Sequence, residues 1–173
     1  AASDKDESKI ISFPSAIDFG HSKIVEDSEF IDNQSEKIQA KNLDTFLRDN
    51  DIGKIKFIKI DVEGFEFRVL KGLKETLRVQ KPVVAFEQFP LDFQDDSTDS
   101  INFLKNQNYN YFYEPVFRER KKSDNKFLNA TNKIFYFLSI FFSNKKEFYD
   151  LKMIKKFEVK PYPMIIASVE KLD

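Results

Sequence analysis

The residues best suited to chemistry lie in Lys59-Ile60-Asp61-Val62-Glu63-Gly64. Side chains alternate along an extended chain, so Lys59, Asp61 and Glu63 share one face. A lysine and two carboxylates so arranged can move a proton, anchor a cation or ligate a divalent metal. Glu87 ends a second apolar run, Val83-Val84-Ala85-Phe86, and can turn toward the same cleft as a third acid. Lys59 has two readings. It orders Asp61 or Glu63 or touches substrate, or its long stem carries the amine to water at the end of a sheet. Glu66 reads as a carboxylate that favours a helix N-terminus. His21, the single histidine, is a candidate base near neutral pH. One imidazole excludes any site that needs two.

These residues need elements to hold them. Lys56 to Val62 is a nearly continuous apolar run, as in a strand covered on both faces. Gly64 permits a sharp turn. Phe67, Val69, Leu70, Leu73 and Leu77 then predict one helix from Gly64 to about Gln80, closed ahead of Pro82. Leu43 opens a helix ending near Asn50 to Gly53, and Ser97 to Asn108 holds another. Ile38 to Asn42, Pro82 to Glu87, Tyr109 to Phe117 (broken at Pro115) and Met164 to Val169 read as strands, and Tyr149 to Phe157 as a short helix. Strand, helix, strand, helix, strand predicts a largely parallel α/β sheet with right-handed crossovers, in one domain over residues 1–173. Residues 118–157 read as an insertion or lid before an antiparallel last strand. Sites in such sheets lie at the carboxyl ends of strands, where Asp61, Glu63 and Glu87 fall.

Composition removes several function classes. The net charge of -1 gives no support to a nucleic-acid partner held by bulk charge. With no cysteine there is no disulfide, thiolate metal site or cysteine nucleophile, which fits a reducing compartment. Ala1 to Lys9 is polar and acidic, unlike a leader, so the expected location is the cytoplasm. Ile134 to Phe142 is apolar but too short to span a bilayer. It reads as a packed helix or lid in preference to a segment lying on a membrane surface.

Ile58-Lys59-Ile60-Asp61-Val62-Glu63-Gly64-Phe65-Glu66, followed by Val69-Leu70-Lys71-Gly72, resembles the signature of the FkbM family. Ala1-Ala2-Ser3-Asp4, Gly20-His21-Ser22, Leu43-Asp44-Thr45-Phe46-Leu47 and Pro82 to Glu87 resemble flanking pieces of that family in the same order. The resemblance implies a class I, Rossmann-like methyltransferase that moves methyl from S-adenosylmethionine to a hydroxyl, on a saccharide or similar small acceptor. It implies Asp61, Glu63 and Lys59 as the catalytic set. Ala2, Ser3 and Asp61 would contact the cofactor, His21 and Glu87 the acceptor, and no residue is assigned to a metal. Two rival readings stand beside it. One is a metal-dependent sugar or phosphoryl transferase with Asp61 and Glu63 on Mg²⁺, although no phosphate-cradling Gly-rich loop accompanies them. The other is a non-catalytic remnant or interaction module.

The family's Gly-rich cofactor loop, on its first strand, has no counterpart here, and the chain has only 4 glycines. The expectation is a C-terminal part, carrying the fourth to seventh strands and lacking the first ones. The fourth strand pairs with the first in the family's sheet, so Phe57 to Val62 would become an exposed apolar edge. Residues 1–173 alone are therefore expected to bind S-adenosylmethionine weakly or not at all. Micromolar affinity in a calorimetric titration would overturn this.

Overall fold

Short polar strands, capped short helices and apolar strand runs sort into two sheets with helices between them. The structure is a computed structural model that describes residues 1–12, 23–25, 35–117 and 149–172. His21, Ile134 to Phe142 and most of the expected insertion at 118–157 lie outside the described residues.

The first sheet has the order β1-β4-β2-β3. Its strands are β1 (Ala2–Ser3), β2 (Glu7–Ser12), β3 (Lys23–Val25) and β4 (Ser35–Asn42). β2 and β4 pair antiparallel from Glu7↔Ala40 to Ser12↔Ser35, and β1 lies parallel to β4. Asn42 ends β4 and starts α1 (Leu43–Asp49), its side chain accepting from Thr45 N at 3.0 Å. That cap satisfies one of the orphan donors of the first turn.

The second sheet has the order β5-β6-β9-β7-β8. It comprises β5 (Phe57–Ile60), β6 (Val83–Gln88), β7 (Tyr111–Phe117), β8 (Tyr149–Met153) and β9 (Tyr162–Ser168). β5 and β6 are parallel, while β9 runs antiparallel to both β6 and β7. The expected largely parallel sheet is thus corrected: β5, β6 and β7 share a direction, but only β5–β6 is a parallel hydrogen-bonded pair. β5 stands at the edge of the order. Ile60 is buried there, whereas Phe57 and Ile58 are half-buried, so the strand is less covered than its composition predicts.

Three further expectations change. The single helix from Gly64 to Gln80 is two helices, α2 (Glu66–Gly72) and α3 (Lys74–Gln80). The Asp44 carboxylate of α1 caps α3 from outside, accepting from Glu75 N at 2.7 Å and from Thr76 N at 2.9 Å. A cap donated by another helix is invisible to local pattern. Tyr149 to Phe157 is not a helix: its first five residues form β8, with Leu151 and Met153 packed against the second core cluster. Their spacing of two was the strand signal. Pro115 does not break β7, because past Tyr113 the strand pairs with β8 alone.

The larger core lies between one sheet face and the helices, including α4 (Asp99–Asn106). Val69, Leu70, Leu77, Ile101 and Leu104 pack there on Ile60, Val84, Phe86, Ile165 and Ala167. The opposite face holds a smaller cluster of Ala85, Tyr113, Met164 and Ile166. The two sheets meet through α2. A Cβ at Gly72 would stand 2.0 Å from the Ser3 carbonyl oxygen, so α2 lies directly on the β1 backbone. Arg68 binds Asp4 at 2.6 Å and Glu7 at 2.8 Å, and Lys71 reaches Asp4 at 3.0 Å. Burial raises the Asp4 pKa, but the hydrogen bonds from Lys71 and Arg68 outweigh it and hold the carboxyl below its usual range. Gly72→Ala is expected to destabilise by about 3 kcal/mol, the upper range for overpacking. Gly64→Ala, strained at φ +91 but with open space for a methyl, should cost about 1 kcal/mol. Urea melts of both variants check the order.

Candidate active site at the strand ends

β5 stops at Ile60, and residues 61–64 form the turn into α2. Glu63 and Gly64 both have positive φ, 49° and 91°. Glycine takes this region readily; glutamate does so only where its surroundings enforce it. The enforcing group is Glu66. Its side chain is buried, and one carboxylate oxygen accepts from Gly64 N at 3.2 Å and Val62 N at 3.4 Å. Burial pushes the Glu66 pKa up, the backbone N–H bonds pull it down, and the net shift is upward. Glu66 is therefore a clasp on the turn, the structural role its position suggested.

The turn delivers Asp61 and Glu63 beside Glu87 at the end of β6. Carboxylate oxygens of these three residues all lie within 4.8 Å of one another. Lys59 makes an ion pair with Asp61, which favours the first of its two readings, that it orders this carboxylate. No hydrogen bond or ion pair engages the Glu87 carboxylate among the described residues. Burial, then the charges of Asp61, Glu63 and Glu66, push its pKa up to about 7, with Lys59 pulling the other way. At such separations two like charges repel by about 1 to 3 kcal/mol, so one lysine does not neutralise the group. The arrangement can take up a proton near neutral pH, or hold a cation: an ammonium, a sulfonium or a divalent metal.

S-Adenosylmethionine carries a positive charge on both its amino and sulfonium groups, and this donor set fits them. The remaining expected contacts are not grouped here. Ser3 is fully buried, its hydroxyl donating to Glu7 at 3.0 Å, and its carbonyl faces Gly72 at the far end of α2 from Glu66. Ala2, on the same short strand, packs against the larger core. Ala2 and Ser3 are thus placed against α2 and the core, and the structure records no contact between them and Asp61 among the described residues. His21 lies outside the described residues.

Sequence reading missed the support behind Glu87. Gln88 is buried, accepts from the Thr98 hydroxyl, and donates Nε2 to Asp92 at 3.1 Å. Asp92 also accepts from Phe89 N at 2.8 Å. This chain of bonds fixes the exit of β6. The acidic character of Leu91 to Ser97 concealed Asp92, whose spacing from Phe89 was its only local signal.

The class defined by this geometry is an α/β protein with an acidic site at the ends of neighbouring parallel strands. A family model described as "Methyltransferase FkbM domain" matches residues 5–111, which include Lys59, Asp61, Glu63 and Glu87. The chain belongs to that family. No curated protein and no solved structure matches it.

The raised pKa of Glu87 has a definite consequence for stability. The folded state binds this proton more tightly than the unfolded state, whose carboxyl has the ordinary value of 4.5. Its contribution is fully present below that value and is lost as pH rises through about 7. Glu87→Gln, which mimics the protonated form, should match the parent near about pH 4 and exceed it by about 1 kcal/mol at about pH 8, after discounting for solvent screening. That is about 3 °C in Tm for a chain of this size. A lower Tm for the variant at alkaline pH would contradict the account.

Proposed function

We propose that this protein is an S-adenosylmethionine-dependent O-methyltransferase in which Glu87 takes the proton from the acceptor hydroxyl. The observation that carries the reading is the carboxyl of Glu87, tuned to about 7 beside Asp61 and Glu63. A hydroxyl is a poor nucleophile until its proton is accepted, and an acceptor with a pKa near the working pH does this best. S-Adenosylmethionine, when bound, supplies an electrophilic methyl group. Asp61, fixed by Lys59, and Glu63, aimed by the strained turn, anchor positive charge beside the acceptor oxygen. The rigid sheet supplies the alignment on which displacement at carbon depends.

The strand pattern supports a Rossmann-like assignment: β5, β6 and β7 run together and β9 is inserted antiparallel between β6 and β7. The acceptor class, a saccharide or similar hydroxyl compound, is what the resemblance to that family implies. Absence of cysteine supports a reducing location such as the cytoplasm. No helix among the described residues is long and apolar enough to cross a membrane.

The test is transfer of labelled methyl to a panel of sugars, measured against pH, with S-adenosylmethionine in sufficient excess to offset the weak binding expected of residues 1–173. Activity should rise with pH through a limb near 7, set by Glu87 losing its proton. Glu87→Gln should lower kcat about 10²- to 10⁴-fold and abolish the limb. Glu63→Gln should move the limb to lower pH by removing a repelling charge. Full activity in Glu87→Gln would overturn the reading.

A further inference from the structure

A second site lies on the helix-side face of the larger sheet, beside β7 and β8. Glu114, Lys152, Ile154, Lys155, Lys156 and Lys160 line much of a cavity of about 430 Å³, with Tyr162 at its inner wall. That volume is in the range of small-ligand sites. Four lysines meet two glutamates there, in a chain whose overall charge is -1.

The cavity is a built feature. The connector from β8 to β9 is pinned from inside by Phe157, only 6% exposed, whose ring meets Phe112 at 5.4 Å and Tyr162 at 5.8 Å. Ile154 N donates to Phe112 O at 2.8 Å, and Glu158 N donates to the Tyr162 hydroxyl at 3.1 Å. Lys160 is fixed by Glu114, with contacts of 2.8 and 3.0 Å, and its amine stands 4.6 Å from the Tyr162 ring centre. Lys152, Lys155 and Lys156 have no carboxylate partner among the described residues. Ordinary solvated surface lysines also lack partners. They do not share a cavity whose backbone and one of whose cations are held in place.

Register separates this cavity from the acidic site. Tyr162 partners Gln88 and Lys152 partners Glu114 on the sheet face that carries the helices, and Ile154 N bonds to Phe112 O near the start of β7. Glu87, one residue before Gln88, belongs to the opposite face. We propose that the lysine-lined cavity is a binding site for a small anionic ligand, one that bears a carboxylate, sulfate or phosphate.

The first test needs no methyl donor. Inorganic phosphate titrated into the full chain should shift the backbone amide signals of residues 152–160 in NMR spectra. The double variant Lys152→Gln with Lys156→Gln should weaken that binding about tenfold, while Lys74→Gln on the exposed face of α3 leaves it unchanged. Circular dichroism confirms that the variants keep their fold. Signals shifted equally at Lys74, Lys81 and Lys155, or undiminished binding by the double variant, would overturn the anion site. Glucuronate, glucose 6-phosphate and glucose then separate an anion site from a sugar site. The two acids should displace phosphate and glucose should not; displacement by glucose as strong as by the acids would overturn the assignment to an anionic group.

Discussion

The site depends on one buried carboxylate that does no chemistry. Glu66 accepts two backbone N–H bonds from the turn before its own helix. Without it those part-buried donors would lose their protein partner, a loss of about 1 kcal/mol for an ordinary hydrogen bond. With it, Glu63 is held at φ 49°, a conformation glutamate adopts only under constraint. The turn is therefore over-determined, which is how local strain persists at functional positions. Burial makes Glu66 hard to ionise, and the same bonds that fix the turn offset that penalty.

The acids that the turn displays repel one another, and the fold tolerates this because its core is much stronger. Each fully buried leucine or isoleucine stabilises by roughly 1.5 to 3 kcal/mol. Leu70, Leu77, Ile101, Leu104 and Ile165 all have no exposed surface, and together they outweigh a repulsion of about 1 to 3 kcal/mol at the strand ends. The repulsion is expressed as a proton held by Glu87 near neutral pH instead of as a disrupted turn. Stability in the core and reactivity at the rim are linked through this imbalance.

What the sequence made legible follows period and type. The apolar run ahead of Asp61 and the run ahead of Glu87 both proved to be strands, since β-rich apolar segments bounded by turns leave few alternatives. The acids following those strands converge as strand-end position predicts. Hidden features are those made by distant residues. Asp44 starts α3 from 31 positions away, and the Ser3 carbonyl dictates a glycine at position 72. Gln88 is held by Thr98, ten residues on, across the end of the sheet. Ser3 was implied as a cofactor contact by resemblance alone; its hydroxyl donates to Glu7 and its carbonyl lies against Gly72, contacts that no local pattern announces. Nothing in the spacing of the lysines of the β8–β9 connector reveals that Phe157 anchors the segment from beneath.

The distribution of charge carries the last step of the argument. Acids gather where β5 and β6 end, while the lysines of the cavity lie on the helix-side face of β7 and β8. Arg68 and Lys71 of α2 are committed to Asp4 and Glu7, so these cations do not neutralise the acids at the strand ends. Screening in physiological salt acts over about 8 Å and neighbouring strands are spaced by about 5 Å, so an acid at one strand end senses the next strand and little beyond it. The proton on Glu87 accordingly answers to Asp61, Glu63, Glu66 and Lys59. On the proposed reading, that isolation lets one group of acids both hold a cationic donor and accept the proton of the hydroxyl it methylates.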